Sequence, residues 1–71
     1  MELEFNLSAD QEFIELIKLL KVLKLAESGG QAKGFVEDGM VKLNNQPEWR
    51  KRAKLRKGDK VEFNGNLIKI L

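Results

Sequence analysis

Cationic side chains are concentrated in one stretch of the chain, residues 50–57, which we call the basic arm. It holds six Lys and Arg residues and no carboxylate. Such a segment repels itself and needs either solvent or an anionic partner around it. Most basic runs are solvated faces, so the basic arm alone favours neither interpretation. If it does bind a ligand, that ligand carries negative charge, and the surrounding residues must indicate which kind.

The net charge of +2 hides an asymmetry between the two ends of the chain. Residues 1–27 carry three lysines and six carboxylates, a net charge of −3, whereas residues 28–71 carry ten cations and five carboxylates, a net charge of +5. A positive half on a small domain suits a phosphate backbone, an anionic lipid surface or an acidic protein. Charge alone does not choose among these partners.

A second candidate anion site begins at Ser28. Ser28 followed three residues later by Gln31 is typical of a capping box at the start of a helix. Gly29 and Gly30 would leave bare amides in the first turn, and Lys33 lies one turn further on, a combination that suits an anion. The alternative is that both glycines only allow a tight turn between two packed helices, and the residues leave both interpretations open.

Catalytic chemistry has few candidate groups in this chain. There is no His, Cys, Tyr or Thr, and the only two serines, Ser8 and Ser28, are both explained as helix caps. A nucleophile without a base is a weak proposal. Glu37 and Asp38 are adjacent and would point to different sides of a helix, which disfavours a shared proton or a metal site. We therefore expect no enzymatic activity, no cofactor and no metal.

The elements that position these groups begin with a predicted strand and helix. Residues 2–7 alternate polar and apolar side chains, which predicts a half-buried strand. Ser8 and Gln11 have the spacing of a capping box, so a first helix is expected to begin there. Its buried face would run from Phe13 to Leu23 at three-and-four spacing.

Short strands and tight turns are predicted beyond the second helix, which is expected to end at Gly39 in a left-handed cap. The pairs at 44–45 and 64–65 are typical of two-residue hairpins. Pro47 would confine the strand at 46–49 to an edge, and Leu55 would anchor the basic arm to the core. The expected fold class is α+β, with an N-terminal strand, two packed helices, then short antiparallel strands and hairpins, in a single domain spanning residues 1–71.

The ordered set of motifs resembles a known family. It consists of Ser28-x-x-x-Ala32-Lys33, then Gly39-x-Val41-x-Leu43-Asn44, then the basic arm and Gly58-Asp59-x-Val61. This pattern resembles the S4 RNA-binding domain, whose helix-plus-loop core is called the αL motif. Within that family it is similar to the stand-alone bacterial YbcJ-like group, and the resemblance covers roughly residues 13–65.

The resemblance implies a non-catalytic module that binds structured RNA, often ribosomal or transfer RNA, through the second helix and the loop after it. Two positions depart from the family pattern. Gly29 stands where many members have Arg, which removes one expected phosphate ligand, and Asn45 stands where Gly is commoner. Carried over position by position, the implied RNA-binding residues are Ser28, Gly30, Gln31, Lys33, Lys42, Arg50, Lys51, Arg52, Lys54 and Arg56.

Trp49, next to the basic arm, allows two interpretations. It would either cover the open side of a thin core or stack on an unpaired base. We favour packing, with stacking as the alternative.

Partners and location follow from the same observations. We expect RNA as the partner, with ribosome-associated proteins as further candidates and no membrane. The alternative from another functional class is a protein-interaction module that docks an acidic partner. The acidic, alternating N-terminal residues contain neither a basic leader nor a long apolar run, so a cytoplasmic location is expected. An edge strand that carries Pro47 favours a monomer.

Overall fold

A computed structural model of the protein describes all of residues 1–71 and contains two helices and two sheets. The helices are α1 (Leu16–Val22) and α2 (Gly29–Glu37). The strands are β1 (Glu2–Phe5), β2 (Ile14–Glu15), β3 (Val41–Leu43), β4 (Gln46–Pro47), β5 (Lys54–Leu55), β6 (Lys60–Phe63) and β7 (Asn66–Ile70). Five of them form one sheet in the order β1-β7-β6-β3-β4, and β2 pairs with β5. The predicted α+β class is confirmed.

The core lies between the helices and one face of the five-stranded sheet. Every buried side chain is apolar, so the hydrophobic effect alone drives its formation. The rings of Phe35 on α2 and Phe63 on β6 meet with centroids 4.9 Å apart. Because side chains alternate across a strand, Lys42 and Glu62 point to the opposite, outer face. The core residues are Ile14, Leu16, Leu19, Leu20, Ala26, Ala32, Val36, Val41, Ala53, Leu55, Val61, Phe63, Ile68 and Ile70.

The two predicted hairpins are confirmed. Asn64 and Gly65 both have positive φ, 51° and 80°, and join β6 to β7. Asn44 and Asn45, at 51° and 71°, join β3 to β4 in the same way. Asn tolerates this left-handed region because its short polar side chain bonds locally. Pro47 lies on β4 at the sheet edge, as predicted from its missing N–H.

Strand β1 is shorter than predicted, and its pairing was not predicted. It ends at Phe5 rather than at residue 7. It pairs in parallel with β7, with Leu3 opposite Ile68. Parallel neighbours need a long crossover, and here that crossover contains most of the chain. The two ends of the chain therefore meet in one sheet.

The predicted start of the first helix is wrong. Ser8 and Gln11 do bond each other, because the Ser8 N–H donates to Gln11 Oε1 at 3.2 Å, but they close an isolated turn. The helix begins only at Leu16, after Ile14 and Glu15 have paired with β5. The pairing partner is about forty residues away in the chain, so local spacing did not reveal it. Tertiary pairing outweighed the local capping signal.

Helix α2 begins and ends as predicted. The Ser28 hydroxyl accepts a hydrogen bond from the Gln31 N–H at 3.1 Å. The Gln31 side chain reaches back to the Glu27 N–H, one residue before the position that a standard capping box uses. Gly39 follows the helix with φ of 75°. Neither helix has the length and the apolar run that crossing a bilayer requires.

Candidate functional site

The backbone of the basic arm is fixed against the start of α1. The Ile17 N–H donates to the Lys51 carbonyl at 3.2 Å, and the Leu16 N–H donates to the Ala53 carbonyl at 2.9 Å. Leu55 in β5 is fully buried, which confirms its predicted role as an anchor. Two of the free amides in the first turn of α1 are therefore satisfied by the arm itself. The cations of the arm project from an ordered segment.

Two of these cations lie over an aromatic ring. The Lys54 ammonium is 5.0 Å from the centroid of Phe13, and the Arg56 guanidinium carbon is 5.6 Å from it. Cations within about 6 Å of an aromatic face are attracted by its quadrupole. Phe13 was expected on the buried face of the first helix, but it is half-buried and lies outside any helix. It supports the basic arm instead.

One cation of the arm is neutralised by a carboxylate. Arg50 Nε lies 3.0 Å from Glu48 Oε2, and a second guanidinium nitrogen lies 3.3 Å from Oε1. These hydrogen bonds hold the pKa of the Glu48 carboxyl below its usual value and raise the pKa of the Arg50 guanidinium. Lys51, Arg52 and the later cations of the arm form no ion pair within 4 Å, although Glu15 is the cross-strand neighbour of Lys54. Arg50 is thus the one cation of the arm that is paired with a carboxylate, although its side chain stays exposed.

At the start of α2 the predicted residues divide into two roles. Ser28 and Gln31 use their side chains to cap the helix, as described above. Gly30 and Lys33 are exposed, and Lys33 forms no ion pair. The helix has no acidic residue in its first turn to occupy the positive end of its dipole. This end of α2 is therefore electropositive and open to solvent.

Helix α1 lies between the basic arm and the start of α2. The arm bonds to α1 at Ile17, and the side chain of Lys21 lies beside Gly29, with its Cδ 3.9 Å from where a Gly29 Cβ would be. Ile17 and Lys21 are one helical turn apart, about 6 Å along the axis. No hydrogen bond or ion pair joins the two predicted segments directly. Exposed Lys18 and Lys21 belong to the connecting helix.

Lys42 is separated from the other predicted residues. It lies on the outer face of the sheet, with Glu62 as its cross-strand neighbour on β6. The helices cover the inner face, so a ligand that lies along α1 and α2 does not meet Lys42 from the same side. Its partner Glu62 also places a negative charge beside it.

Sequence reasoning missed two contributors to this surface. Phe13 was assigned to the core because its spacing fits a helical stripe, and only the pairing of β2 with β5 places it under the arm. Lys21 was not among the predicted site residues, and its position beside Gly29 depends on the packing of α1 on α2. No local signal in the sequence reveals either contact. What the arrangement offers chemically is several unpaired cations on ordered backbone, which suits phosphate groups.

Known proteins resemble this chain both in sequence and in fold. The S4 domain family pattern matches residues 7–71. The chain is 40% identical over 58 residues to the Escherichia coli K12 protein named "Putative RNA-binding protein YbcJ", covering 82% of this chain and 83% of that one. It is 41% identical over 59 residues to the Bacillus subtilis 168 protein named "Probable ribosome maturation protein RlbA", covering 83% of each.

The fold is also similar to that of YbcJ. The solution structure of YbcJ from E. coli, described as revealing an αL motif involved in RNA binding, superposes with a TM-score of 0.70 at 37% identity, covering 96% of this chain and 85% of that one. The family pattern spans nearly the whole chain, and the relatives are matched over more than four-fifths of their length. The chain therefore belongs to the S4 domain family.

Proposed function

We propose that this protein is a non-catalytic, monomeric module that binds structured RNA in the cytoplasm. The observation that carries the proposal is the basic arm, whose cations beyond Arg50 lack ion pairs and whose backbone is fixed against α1. Fixed cations bind phosphates with less loss of conformational entropy than mobile ones. The family membership and the described role of the YbcJ αL motif support RNA as the polyanion.

The proposed interface extends from the basic arm across α1 to the start of α2. Arg52 and Lys54 would contact phosphates on one side, and Lys33 with the open amides of α2 would contact them on the other. An interface that extends across α1 can contact several phosphates of a folded RNA helix at once. A single small anion would occupy only one part of it. Few exposed polar side chains without charge are present here to read bases, so the proposed recognition is of RNA shape.

Ribosomal RNA is the first ligand to test, with transfer RNA as the second. The B. subtilis relative is named for ribosome maturation, which supports a ribosomal target without identifying it. The proposal assigns no catalytic step to the chain, because no His, Cys, Tyr or Thr is present and Ser28 is used as a cap.

The test compares two charge reversals of equal size. Arg52→Glu alters an unpaired, exposed cation of the arm, and Lys60→Glu alters an exposed cation on the outer face of the sheet. We expect Arg52→Glu to weaken binding to labelled ribosomal RNA fragments by roughly tenfold or more, since it removes one phosphate contact and adds repulsion. We expect Lys60→Glu to change the Kd less than about twofold. Both variants should keep the thermal midpoint of the wild type within a few degrees.

Equal loss in the two variants would show that binding follows net charge and not this surface. A pull-down from lysate with and without ribonuclease separates RNA from an acidic protein partner. Companions that survive ribonuclease digestion and disappear with Arg52→Glu would favour the protein-interaction alternative.

A further inference from the structure

The indole of Trp49 is held in place but largely uncovered. It is 60% exposed, which is high for the largest apolar side chain in a domain with so little core. Its far edge lies against Gly39, because a Cβ on Gly39 would be 2.6 Å from Trp49 Cη2 and 2.9 Å from Cζ3. Met40, the next residue, is also 48% exposed. Two exposed apolar side chains therefore lie beside the end of α2.

The backbone that carries Trp49 is fixed on both sides. The Glu48 N–H donates to the Val41 carbonyl at 3.0 Å, which ties this segment to β3. The Glu48 carboxylate also accepts from the Arg50 N–H and from the Arg50 guanidinium, at 3.0 Å each. These hydrogen bonds connect Glu48 to Arg50 and so restrain the backbone on both sides of Trp49. An aromatic side chain on fixed backbone loses little entropy when it binds a ligand.

Packing alone does not explain this arrangement. A Trp that served the core would bury most of its area, whereas this indole touches the glycine edge and leaves its larger part in water. The absence of a Cβ at Gly39 is what lets the ring sit there. The ring is positioned without being covered.

Exposed Glu37 and Asp38 precede Gly39 on one side of the ring, and the basic arm lies on the other. The charge on the side of the arm indicates what would cover the indole. The basic arm begins at the next residue, and Lys51 and Arg52 have no carboxylate partner. A nucleic-acid strand satisfies both features, since its phosphates match the cations and its bases match the indole face. An acidic peptide would match the cations, but it offers the ring a flat apolar group only where it also carries an aromatic side chain, whereas every nucleotide carries a base.

We infer that Trp49 is a stacking platform for one unpaired base of the RNA, placed at the end of the phosphate-binding surface proposed above. The inference rests on that proposed function and adds a contact to a base rather than to the backbone. It predicts that the protein prefers RNA with an unpaired nucleotide next to a helical stem. Stacking tolerates any base, so the preference is for an unpaired base and not for a sequence.

Trp49 reports on its own contact, because the chain has one Trp and no Tyr. The probes are a fluorescein-labelled RNA hairpin with a loop of unpaired adenosines and the same hairpin with abasic loop positions, which keeps every phosphate. Wild type should bind the adenosine hairpin about tenfold more tightly than the abasic one. Intrinsic fluorescence should be quenched by the first and not by the second. Trp49→Leu should bind both hairpins equally, and Trp49→Phe should recover part of the preference.

The outcomes separate this inference from the proposed function. Binding of both hairpins by wild type with equal affinity and unchanged Trp fluorescence would overturn the platform and leave the phosphate surface standing. An equal preference in wild type and Trp49→Leu would overturn it as well. Failure of wild type to bind either hairpin, ribosomal RNA or transfer RNA would overturn both. Circular dichroism of the variants shows whether each is folded, and Trp49→Phe provides the comparison if Trp49→Leu is not.

Discussion

The cations of the basic arm are not equivalent, although they look alike in the sequence. Arg50 is paired with Glu48 and helps to hold the backbone around Trp49. Lys54 and Arg56 share the face of Phe13. Arg52 has neither kind of partner. The count of cations therefore overstates the charge that is free to meet a phosphate.

Phe13 should affect RNA binding although it is uncharged. Phe13→Leu keeps an apolar side chain but removes the ring under Lys54 and Arg56, a contact worth about 0.5–1 kcal/mol for each exposed cation. We expect the Kd for ribosomal RNA to rise about three- to tenfold. Fluorescence anisotropy with labelled RNA measures this change. Phe13→Tyr keeps the ring and is the matched control, and a Leu variant that binds like the Tyr variant would remove Phe13 from the interface.

The two hairpin turns and the start of α2 were predicted correctly from local spacing, whereas the start of α1 was not, because distant pairing determines it. The turns at Asn44 and Asn64 need positive φ, and the helix start at Ser28 needs a side-chain acceptor, so a few neighbouring residues determine each. The start of α1 depends instead on β2 meeting β5. The contact of Phe13 with the basic arm depends on the same pairing of β2 with β5. The sequence did not predict this contact because the paired residues are far apart in the chain.

The start of α2 allows its structural role to be separated from its proposed binding role. Ser28→Ala loses the acceptor for the Gln31 N–H and should lower the free energy of unfolding by about 1 kcal/mol. Ser28→Asp keeps an acceptor and adds a charge that the helix dipole favours, so its stability should match or exceed that of the wild type.

The same pair of variants should rank in the opposite order for RNA. Asp at position 28 places a carboxylate where the proposed surface meets phosphate, whereas Ala places none. Urea unfolding followed by RNA titration under native conditions measures both quantities. If Ser28→Asp is stable and binds RNA as tightly as wild type, the start of α2 is only a helix cap and does not belong to the interface.

The whole molecule has a small net charge but a large local positive charge. The chain carries only +2, but residues 28–71 carry +5, and the acidic residues 2 and 4 lie on β1 at the far edge of the sheet from β4. The separation is not complete, because Glu15 lies opposite Lys54 of the basic arm in the pair of strands β2 and β5. The unpaired cations of the arm therefore set the local field that a polyanion meets as it approaches.

Salt dependence should therefore report the number of local contacts and not the net charge. Each phosphate neutralised by a cation releases condensed counterions, and log Kd should rise with log salt by about 0.7–0.9 per contact. Arg52→Gln and Lys60→Gln lower the net charge equally. We expect Arg52→Gln to reduce the slope by about one contact and Lys60→Gln to leave it unchanged. Titrations of ribosomal RNA at several salt concentrations measure the slopes. Equal slopes for the two variants would mean that the field of the whole molecule binds the RNA, and the fixed arm would then have no special part in recognition.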